Sequence, residues 1–455
     1  MKEQYKHLIN FLANFITLLF EGVCFGIMWY GLYSQTIVNP PLERGNWFII
    51  GLYCLILYLF TYSLGGYNIG YRRGFDIILS HVWAIIFGTL IAYLELCLIG
   101  RLYISPLPLL ALAAVDIAFV ILWTFLIRKL SVRLYPPRRL LIIYGEYSPK
   151  ELIAKFGSRQ DKYNICASVS YTIGYGELYQ LIDTCKGVIL CDLPAKARNT
   201  LMKYCYAHSV RTYVTPKVSD ILLRSSEDIH LFDVPLLLLR NQGLGVLNTA
   251  IKRVFDIVCC IFLLFILSPL LLATAAAIKI CDRGPVFYKQ DRLTKDGKVF
   301  LIYKFRSMYV DSEKDGACLA HKNDARITPV GKIIRKLHAD ELPQLINILK
   351  GEMSIVGPRP ERPEIAAQYE EAIPEFPFRL KVKAGLTGYA QVFGQYNTTP
   401  YDKLKYDLTY IQNYSFWLDI KIIMLTLKIL FIKENSEGID DGSTTAMRKD
   451  NNSCK

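Results

Sequence analysis

Hydrophobic residues come in long unbroken runs over the first third of the chain and in short periodic patterns after it. Four runs stand out, at residues 8–33, 47–64, 77–99 and 107–127. Each has the ~20 residues that a helix needs to cross a bilayer core. Basic residues gather on one side of these runs. Lys2 and Lys6 precede the first, Arg72 and Arg73 separate the second and third, and Arg128, Lys129, Arg133, Arg138 and Arg139 follow the fourth. The other two loops carry little beyond Arg44 and Arg101. The positive-inside rule then predicts a four-helix transmembrane bundle over residues 1–135, with both ends in the cytoplasm. The first run lacks a small-residue cleavage site and reads as a retained helix, not a signal peptide. Two readings of the bundle stay open: a plain anchor, or a functional element built on Glu21, Glu95 and Asp116 in or near the spans.

The period changes over residues 136–250. Segments 140–144, 165–169, 187–191 and 211–214 read as buried strands, with helices between them, of which 195–208 is the clearest. That alternation predicts a small, Rossmann-like parallel α/β domain. Its first turn, Gly145-Glu146-Tyr147-Ser148, lacks the glycine-rich phosphate fingerprint, so a regulatory or packing role is favoured over dinucleotide binding. A last domain is expected over 251–433, followed by a polar, disordered tail at 434–455.

A fifth apolar run, 257–278, opens that last domain. Ser268-Pro269 sits near its middle, and proline removes a helix hydrogen bond. Lys252 and Arg253 precede the run, and Lys279 and Arg283 follow it. Basic flanks on both sides favour a re-entrant helix over 254–280 that breaks at Ser268 and Pro269 and returns to the cytoplasmic face. The alternative is a proline-kinked spanning helix.

Composition agrees with a membrane location. Hydrophobic residues make up 52% of the 455, and the net charge is +13. The basic excess suits anionic lipid or anionic substrate. No basic, aromatic-interleaved stretch resembles a nucleic-acid module. The 12 cysteines form no CxxC pair and several lie in apolar runs, which excludes a disulfide framework. The 6 histidines show no zinc spacing.

The chemistry concentrates between residues 304 and 391. Asp340 and Glu341 open an amphipathic stretch in which Leu342, Leu345, Ile346 and Leu349 recur at helical spacing and Gly351 marks a stop. Asp340 alone could be an N-cap. A helix N-terminus also favours phosphate, and adjacent carboxylates on a helix point different ways, which suits two separate jobs. Phosphate-compatible residues surround the pair: Lys304-Phe305-Arg306-Ser307-Met308, Arg335-Lys336, and Arg359 between two prolines. For Lys332 and Lys336 a solvated face is the simpler reading. Gly385-Leu386-Thr387-Gly388 with Gln391 is a polar loop that turn chemistry alone could explain.

These motifs resemble a known family, the bacterial polyprenyl-phosphate sugar-1-phosphate transferases, over residues 251–432. They stand here as LysArgValPheAspIle at 252–257, GlyProValPheTyrLysGlnAspArg at 284–292, LysPheArgSerMet at 304–308, AspAlaArgIleThr at 324–328, AspGluLeuProGln at 340–344 and GlyGluMetSerIleValGlyProArgPro at 351–360. Four spans and an α/β domain ahead of the motifs resemble the family's larger members.

The resemblance implies a membrane protein of α and α/β parts with a mainly helical catalytic domain on the cytoplasmic face of the bacterial inner membrane. It implies transfer of a hexose 1-phosphate from a UDP-sugar, glucose or galactose, to undecaprenyl phosphate. UMP would be released through a covalent phosphosugar-aspartate intermediate, as a first step in exopolysaccharide, capsule or O-antigen synthesis. Asp340 would be the nucleophile and Glu341 the ligand of Mg²⁺. Arg335 and Arg359 would contact phosphate, joined by Lys304 and Arg306. Ser268 and Pro269 match the family's membrane-helix break. Two positions depart from the family pattern: Ala384 stands where proline is usual, and Thr409 where an aromatic is usual. A membrane glycosyltransferase releasing UDP and a non-catalytic assembly scaffold remain as alternatives. A homodimer is compatible with the sequence, which fixes no oligomeric state.

Overall fold

The computed structural model describes residues 6–37, 43–70, 72–101, 103–145, 149–157, 159–231, 233–239, 243–309, 326–394 and 398–430. The tail at 434–455, the turn residues Glu146, Tyr147 and Ser148, and Asp324 and Ala325 lie outside the described residues. The chain forms two compact units, Met1–Pro216 and Lys217–Lys455.

The first unit begins with a helix bundle. Helix α1 (Lys6–Met28) runs through a π-turn, Trp29–Tyr33, into a last turn, α2 (Ser34–Thr36). It is followed by α3 (Glu43–Leu64), α4 (Gly74–Gly100) and α5 (Leu107–Leu134). Helix α1 packs on α3 and α5, and α4 packs on the same two, which closes a ring. Phe25, Trp29, Tyr53, Leu57, Ile85 and Leu96 fill its core. The outward faces are apolar too: Phe11, Ile27, Leu98 and Phe125 are exposed. A helix that is apolar all round belongs in a lipid or buried setting. By length and composition these helices and one in the second unit can cross a membrane, and the chain is a membrane protein.

The rest of the first unit is a four-stranded parallel sheet in the order β2-β1-β3-β4. The elements run β1 (Arg138–Tyr144), α6 (Lys150–Gly157), β2 (Tyr163–Ser170), α7 (Tyr175–Thr184), β3 (Gly187–Cys191), α8 (Ala195–Ala207) and β4 (Arg211–Val214). All four expected strands are present. Side chains alternate along the central strand: Leu141 and Ile143 pack under α7 and α8, while Leu140 and Ile142 pack under α6.

The second unit starts at α9 (Val218–Arg224), well ahead of residue 251. Val218 and Ile221 of α9 join the core around Leu404, Leu408 and Ile411. A hairpin, β5 (Glu227–Leu231) and β6 (Val234–Leu238), leads to α10 (Val246–Asp282). Then come the hairpin β7 (Phe287–Leu293) and β8 (Val299–Phe305), α11 (Pro329–Lys336), α12 (Gln344–Lys350), β9 (Ser354–Val356) and α13 (Pro363–Ala372). The unit ends with β10 (Gly385–Thr387), α14 (Tyr389–Phe393), α15 (Pro400–Gln412) and α16 (Phe416–Leu430).

Helix α10 carries the fifth apolar run. The break expected at Ser268 and Pro269 is not a gap in the helix, because Pro269 lies inside one continuous element. Proline has no N–H for the Phe265 carbonyl. The Ser268 hydroxyl donates to that carbonyl instead, at 2.8 Å. The serine thus meets a need that the proline creates, and in hydrocarbon an unmet carbonyl costs several kcal/mol.

The polar start of α10 fastens it to the unit. Arg253 donates from Nη1 to Ile348 O (2.5 Å) and from Nη2 to Leu349 O (2.7 Å), capping the end of α12. Asp256 Oδ1 accepts from Ile355 N at 3.1 Å. Lys252 Nζ meets Asp419 Oδ2 of α16 at 2.5 Å with both side chains buried, and Tyr410 donates to Asp419 Oδ1 at 2.8 Å. The 252–257 motif is therefore a docking device between an apolar helix and a folded unit.

Two glycine loops interlock beside it. Strand β9 pairs in parallel with β10. Gly357 N donates to Thr387 O (2.8 Å) and Gly385 N to Pro358 O (2.9 Å). A Cβ at Gly388 would stand 2.1 Å from Gly357 O, and one at Gly357 would stand 2.4 Å from Lys383 O. Backbone touches backbone here, so glycine is required by contact and not by turn geometry.

Asp419→Ala leaves Lys252 buried without its counter-ion. It should cost about 3–5 kcal/mol in thermal unfolding of the detergent-solubilised protein, and the Lys252→Met/Asp419→Leu pair should recover most of that loss. Gly388→Ala should lower stability by about 1–3 kcal/mol. Gly176→Ala, whose methyl meets nothing within 4 Å, should not lower it.

Candidate active site

The two carboxylates sit in a short 3-10 turn, Ala339–Glu341. Helix α11 leads to it. Thr328 caps α11 by accepting from Gly331 N at 2.9 Å, Pro329 takes the first turn, and Arg335 ends it. His338 then reverses the chain in a left-handed conformation (φ 51°). Ala339 is buried in a cluster with Ile278, Phe305 and Ile334, against which Leu271, Ala275 and Leu342 pack. The apolar helix α10 and the acidic turn thus share one small core.

Helix α12 begins only at Gln344, with Pro343 at its N-cap position and no side-chain cap. The capping reading of Asp340 therefore does not hold, since Asp340 lies inside the preceding turn. Pro343 needs no partner for an N–H and can occupy that entry.

Glu341 is the electrostatic centre. Lys304 Nζ lies 2.7 Å from Glu341 Oε1, and Arg359 Nη2 lies 3.0 Å from the same oxygen. Both cations act on Oε1, so Oε2 stays outside these two contacts. Burial alone would raise the Glu341 pKa; Lys304 and Arg359 outweigh it and hold the carboxyl well below the usual carboxylate range. Asp340 is shifted the other way. Burial raises it first and the charge of Glu341 second, against opposition from Lys304, Arg335 and His338. Two adjacent carboxylates driven apart in this way have different work to do.

Each cation is held by the fold. Lys304 lies on β8 opposite Tyr288. Asn347 of α12 fixes that strand: its Oδ1 accepts from Tyr303 N (3.0 Å) and its Nδ2 donates to Leu301 O (2.7 Å) and Glu352 Oε2 (2.7 Å). Arg359 stands in a loop whose prolines offer no N–H, so the loop is gripped by its carbonyls. Pro358 O accepts from Gly385 N, Arg359 O from Arg379 Nη2 (2.9 Å), Pro360 O from Arg292 Nη1 (3.1 Å) and Glu361 O from Leu293 N (3.0 Å). Arg379 is itself buried against Asp407, 2.8 Å away. Burial still pushes Asp407 up to about 6.

Of the residues expected in the site, Lys304, Arg359 and Glu341 meet directly, and Arg335 acts on Asp340. Arg306 is buried against Gly284, where a Cβ would stand 2.1 Å from its Nη1. Its seat explains the glycine that opens the 284–292 motif. Ser268 and Pro269 lie in mid-helix on α10. At the two departures, Ala384 N donates to Thr294 Oγ1 at 3.2 Å, which a proline could not do, and Thr409 Oγ1 bonds Lys405 O in its own helix. Asn347, Arg292, Arg379 and Asp407 carry the supporting structure and were not singled out from sequence. The one available signal was a polar residue on the buried face of an amphipathic helix.

Among the described residues no group of three or more His, Cys, Asp or Glu could hold a metal. A divalent cation here would rest on Glu341 with Asp340 beside it. Mg²⁺ fits such a sparse site, because it commonly takes one or two carboxylates and completes its shell with water and substrate phosphate.

The comparisons agree with this geometry. The family profile described as bacterial sugar transferase matches residues 247–433. A UDP-N-acetylgalactosamine-undecaprenyl-phosphate N-acetylgalactosaminephosphotransferase from Aeromonas hydrophila is 39% identical over 242 residues, 52% of this chain and 56% of the relative. A UDP-glucose:undecaprenyl-phosphate glucose-1-phosphate transferase from Klebsiella pneumoniae is 38% identical over 254 residues, 55% of this chain and 53% of the relative. The chain thus spans about half the length of these two. The uncharacterized sugar transferase EpsL of Bacillus subtilis is 41% identical over 184 residues, 40% of this chain but 89% of the relative. With that relative covered almost end to end, and with the profile matching the stretch that holds Asp340, Glu341, Lys304 and Arg359, the chain belongs to the bacterial sugar transferase family.

Proposed function

We propose that the protein transfers a hexose 1-phosphate from a UDP-sugar to undecaprenyl phosphate. The observation that carries this reading is the pair of cations on Glu341 next to a carboxylate of raised pKa. The named relatives, which are undecaprenyl-phosphate phosphotransferases, support the choice of acceptor.

In this reading Asp340 attacks the sugar-linked phosphorus of the donor. The bond from that phosphorus to the bridging oxygen breaks, and UMP leaves with the bond's electron pair. The resulting aspartyl phosphosugar is then attacked by an oxygen of undecaprenyl phosphate, which frees Asp340 and yields the diphosphate-linked lipid. A carboxylate is a weak nucleophile toward an anionic phosphate unless that charge is offset. Lys304, Arg335 and Arg359 surround the pair with positive charge that suits this task, since phosphoryl transfer depends on positioning and electrostatics. Mg²⁺ bound at Glu341 would add charge neutralisation at phosphate oxygens.

The membrane plan follows the charges. The four bundle helices each cross the inner membrane, both ends of the bundle face the cytoplasm, and the parallel sheet is a Rossmann-like domain on that side. Helix α10 enters and returns on the cytoplasmic face by bending at Ser268-Pro269. Such a course brings a lipid phosphate to the acidic turn, with which α10 shares its core.

Incubation of the wild type with UDP-glucose, UDP-galactose and UDP-N-acetylgalactosamine should yield Mg²⁺-dependent UMP, and donor alone should add a phosphohexose mass to Asp340. Asp340→Asn should abolish both while still inserting in membranes. Release of UDP, or sustained turnover by Asp340→Asn, would replace this reading with sugar transfer alone. Arg359→Gln should lower turnover about 10²–10³-fold.

A further inference from the structure

The catalytic reading leaves the polar interior of the bundle unused. Each of the four long helices places a titratable side chain there: Glu21 from α1, Tyr53 from α3, His81 from α4 and Asp116 from α5. All four are buried. His81 Nδ1 faces Glu21 Oε1 at 3.9 Å, too far for a hydrogen bond. The Tyr53 hydroxyl reaches Asp116 Oδ2 only at 3.5 Å. Among the described residues, Asp116 Oδ1 and His81 Nδ1 have no hydrogen-bond partner. The cross-helix pairs are thus long, and they leave polar atoms of the interior unmatched.

Charge sharpens the problem. Glu21 and Tyr53 act electrostatically on Asp116, and no lysine or arginine does. The other titratable neighbours are Cys24 on α1, Cys54 on α3 and Tyr67 beyond it. None of these supplies a positive charge. With both carboxylates ionised and His81 neutral the cluster carries two negative charges in a low-dielectric interior, which is costly. Neutrality needs two protons. The three bases Glu21, His81 and Asp116 can take them, so one base is always left empty to receive a proton from its neighbours.

The cluster also has a mouth. A cleft lined by Asn14, Thr17, His81, Trp123, Thr124 and Ile127 holds room for about one water. It lies toward the end of the bundle that carries Arg72 and Arg128. Arg72 donates there to Leu64 O at 2.9 Å. Thr61, His81 and Thr124 make a first polar layer near this mouth. Tyr53, Thr89 and Asp116 lie eight residues further along the same helices, about 12 Å deeper.

We propose that the bundle is a proton-binding relay, in which Glu21, His81 and Asp116 share two protons that enter through the cleft at the arginine-bearing end. The ligand proposed is the proton, and the Na⁺ arm of the test below separates it from a metal ion.

Dicyclohexylcarbodiimide, which modifies protonated carboxyls in apolar surroundings, tests this on the full chain in phospholipid vesicles. Peptide mass spectrometry should find adducts at Asp116 or Glu21. They should decline as pH rises on the arginine-bearing side. They should be indifferent to pH on the other side and to added Na⁺. His81→Gln should shift that pH dependence. Asp116→Asn, which mimics the protonated acid, should keep the bundle's detergent melting temperature, and adding Glu21→Gln should remove bundle labelling. An unlabelled wild-type bundle, labelling that ignores pH, or protection by Na⁺ would each overturn the proposal. A bundle that melts markedly earlier with Asp116→Asn would do so too, because it would mean an ionised, structural carboxylate.

Discussion

Two cations meet one oxygen at the centre of the second unit. Lys304 and Arg359 approach Glu341 Oε1 from different parts of the chain, a hairpin strand and a proline-flanked loop. Their joint effect is to keep Glu341 ionised despite burial, and Asp340 feels that fixed charge as a neighbour. A nucleophilic carboxylate needs high basicity without losing its charge at neutral pH. Placing it beside a permanently ionised acid, within reach of Arg335 and Lys304, balances those demands. The arrangement works only while strand, loop and turn keep their spacing, and most of the unit's conspicuous motifs serve that spacing.

The loop around Arg359 shows how. A segment with prolines at 358 and 360 cannot be held by its own N–H groups. Its four successive carbonyls are instead taken by Gly385 N, Arg379, Arg292 and Leu293 N. A buried arginine, Arg379, and a half-buried one, Arg292, thus support a half-exposed one. This division was invisible along the chain, where only Arg359, between two prolines, stood out. The same holds for Gly385-Leu386-Thr387-Gly388, whose glycines serve backbone contact with Gly357 across thirty residues of sequence. Contact across that separation has no periodic signature. Strands 140–144 and 187–191, by contrast, were legible because apolar runs of that length between turns have few other uses.

The apolar helix α10 was legible as a membrane segment and illegible as a docked one. Its hydropathy says nothing of Arg253 capping α12 or of Asp256 receiving Ile355 N. Those contacts tie the start of the helix to the strand and helix that flank the site, while Leu271, Ala275 and Ile278 near its end pack with Ala339 beside the carboxylates. One element is fixed to the site at both ends, with the Ser268–Pro269 step between them. A helix held this way transmits its position to the acidic turn directly.

The two units solve the same electrostatic problem differently. Three carboxylates of the second unit are paired with cations: Glu341 with Lys304 and Arg359, Asp407 with Arg379, Asp419 with Lys252. Fixed counter-charges suit those groups to structural or reactive work. In the bundle Glu21 and Asp116 lie among Tyr53, His81 and threonines, none of which carries a fixed positive charge. Arg72 and Arg128 lie at the helix ends, where they cannot neutralise the interior. What remains to balance the interior is the proton, which is the one counter-ion small enough to be carried by the acids themselves.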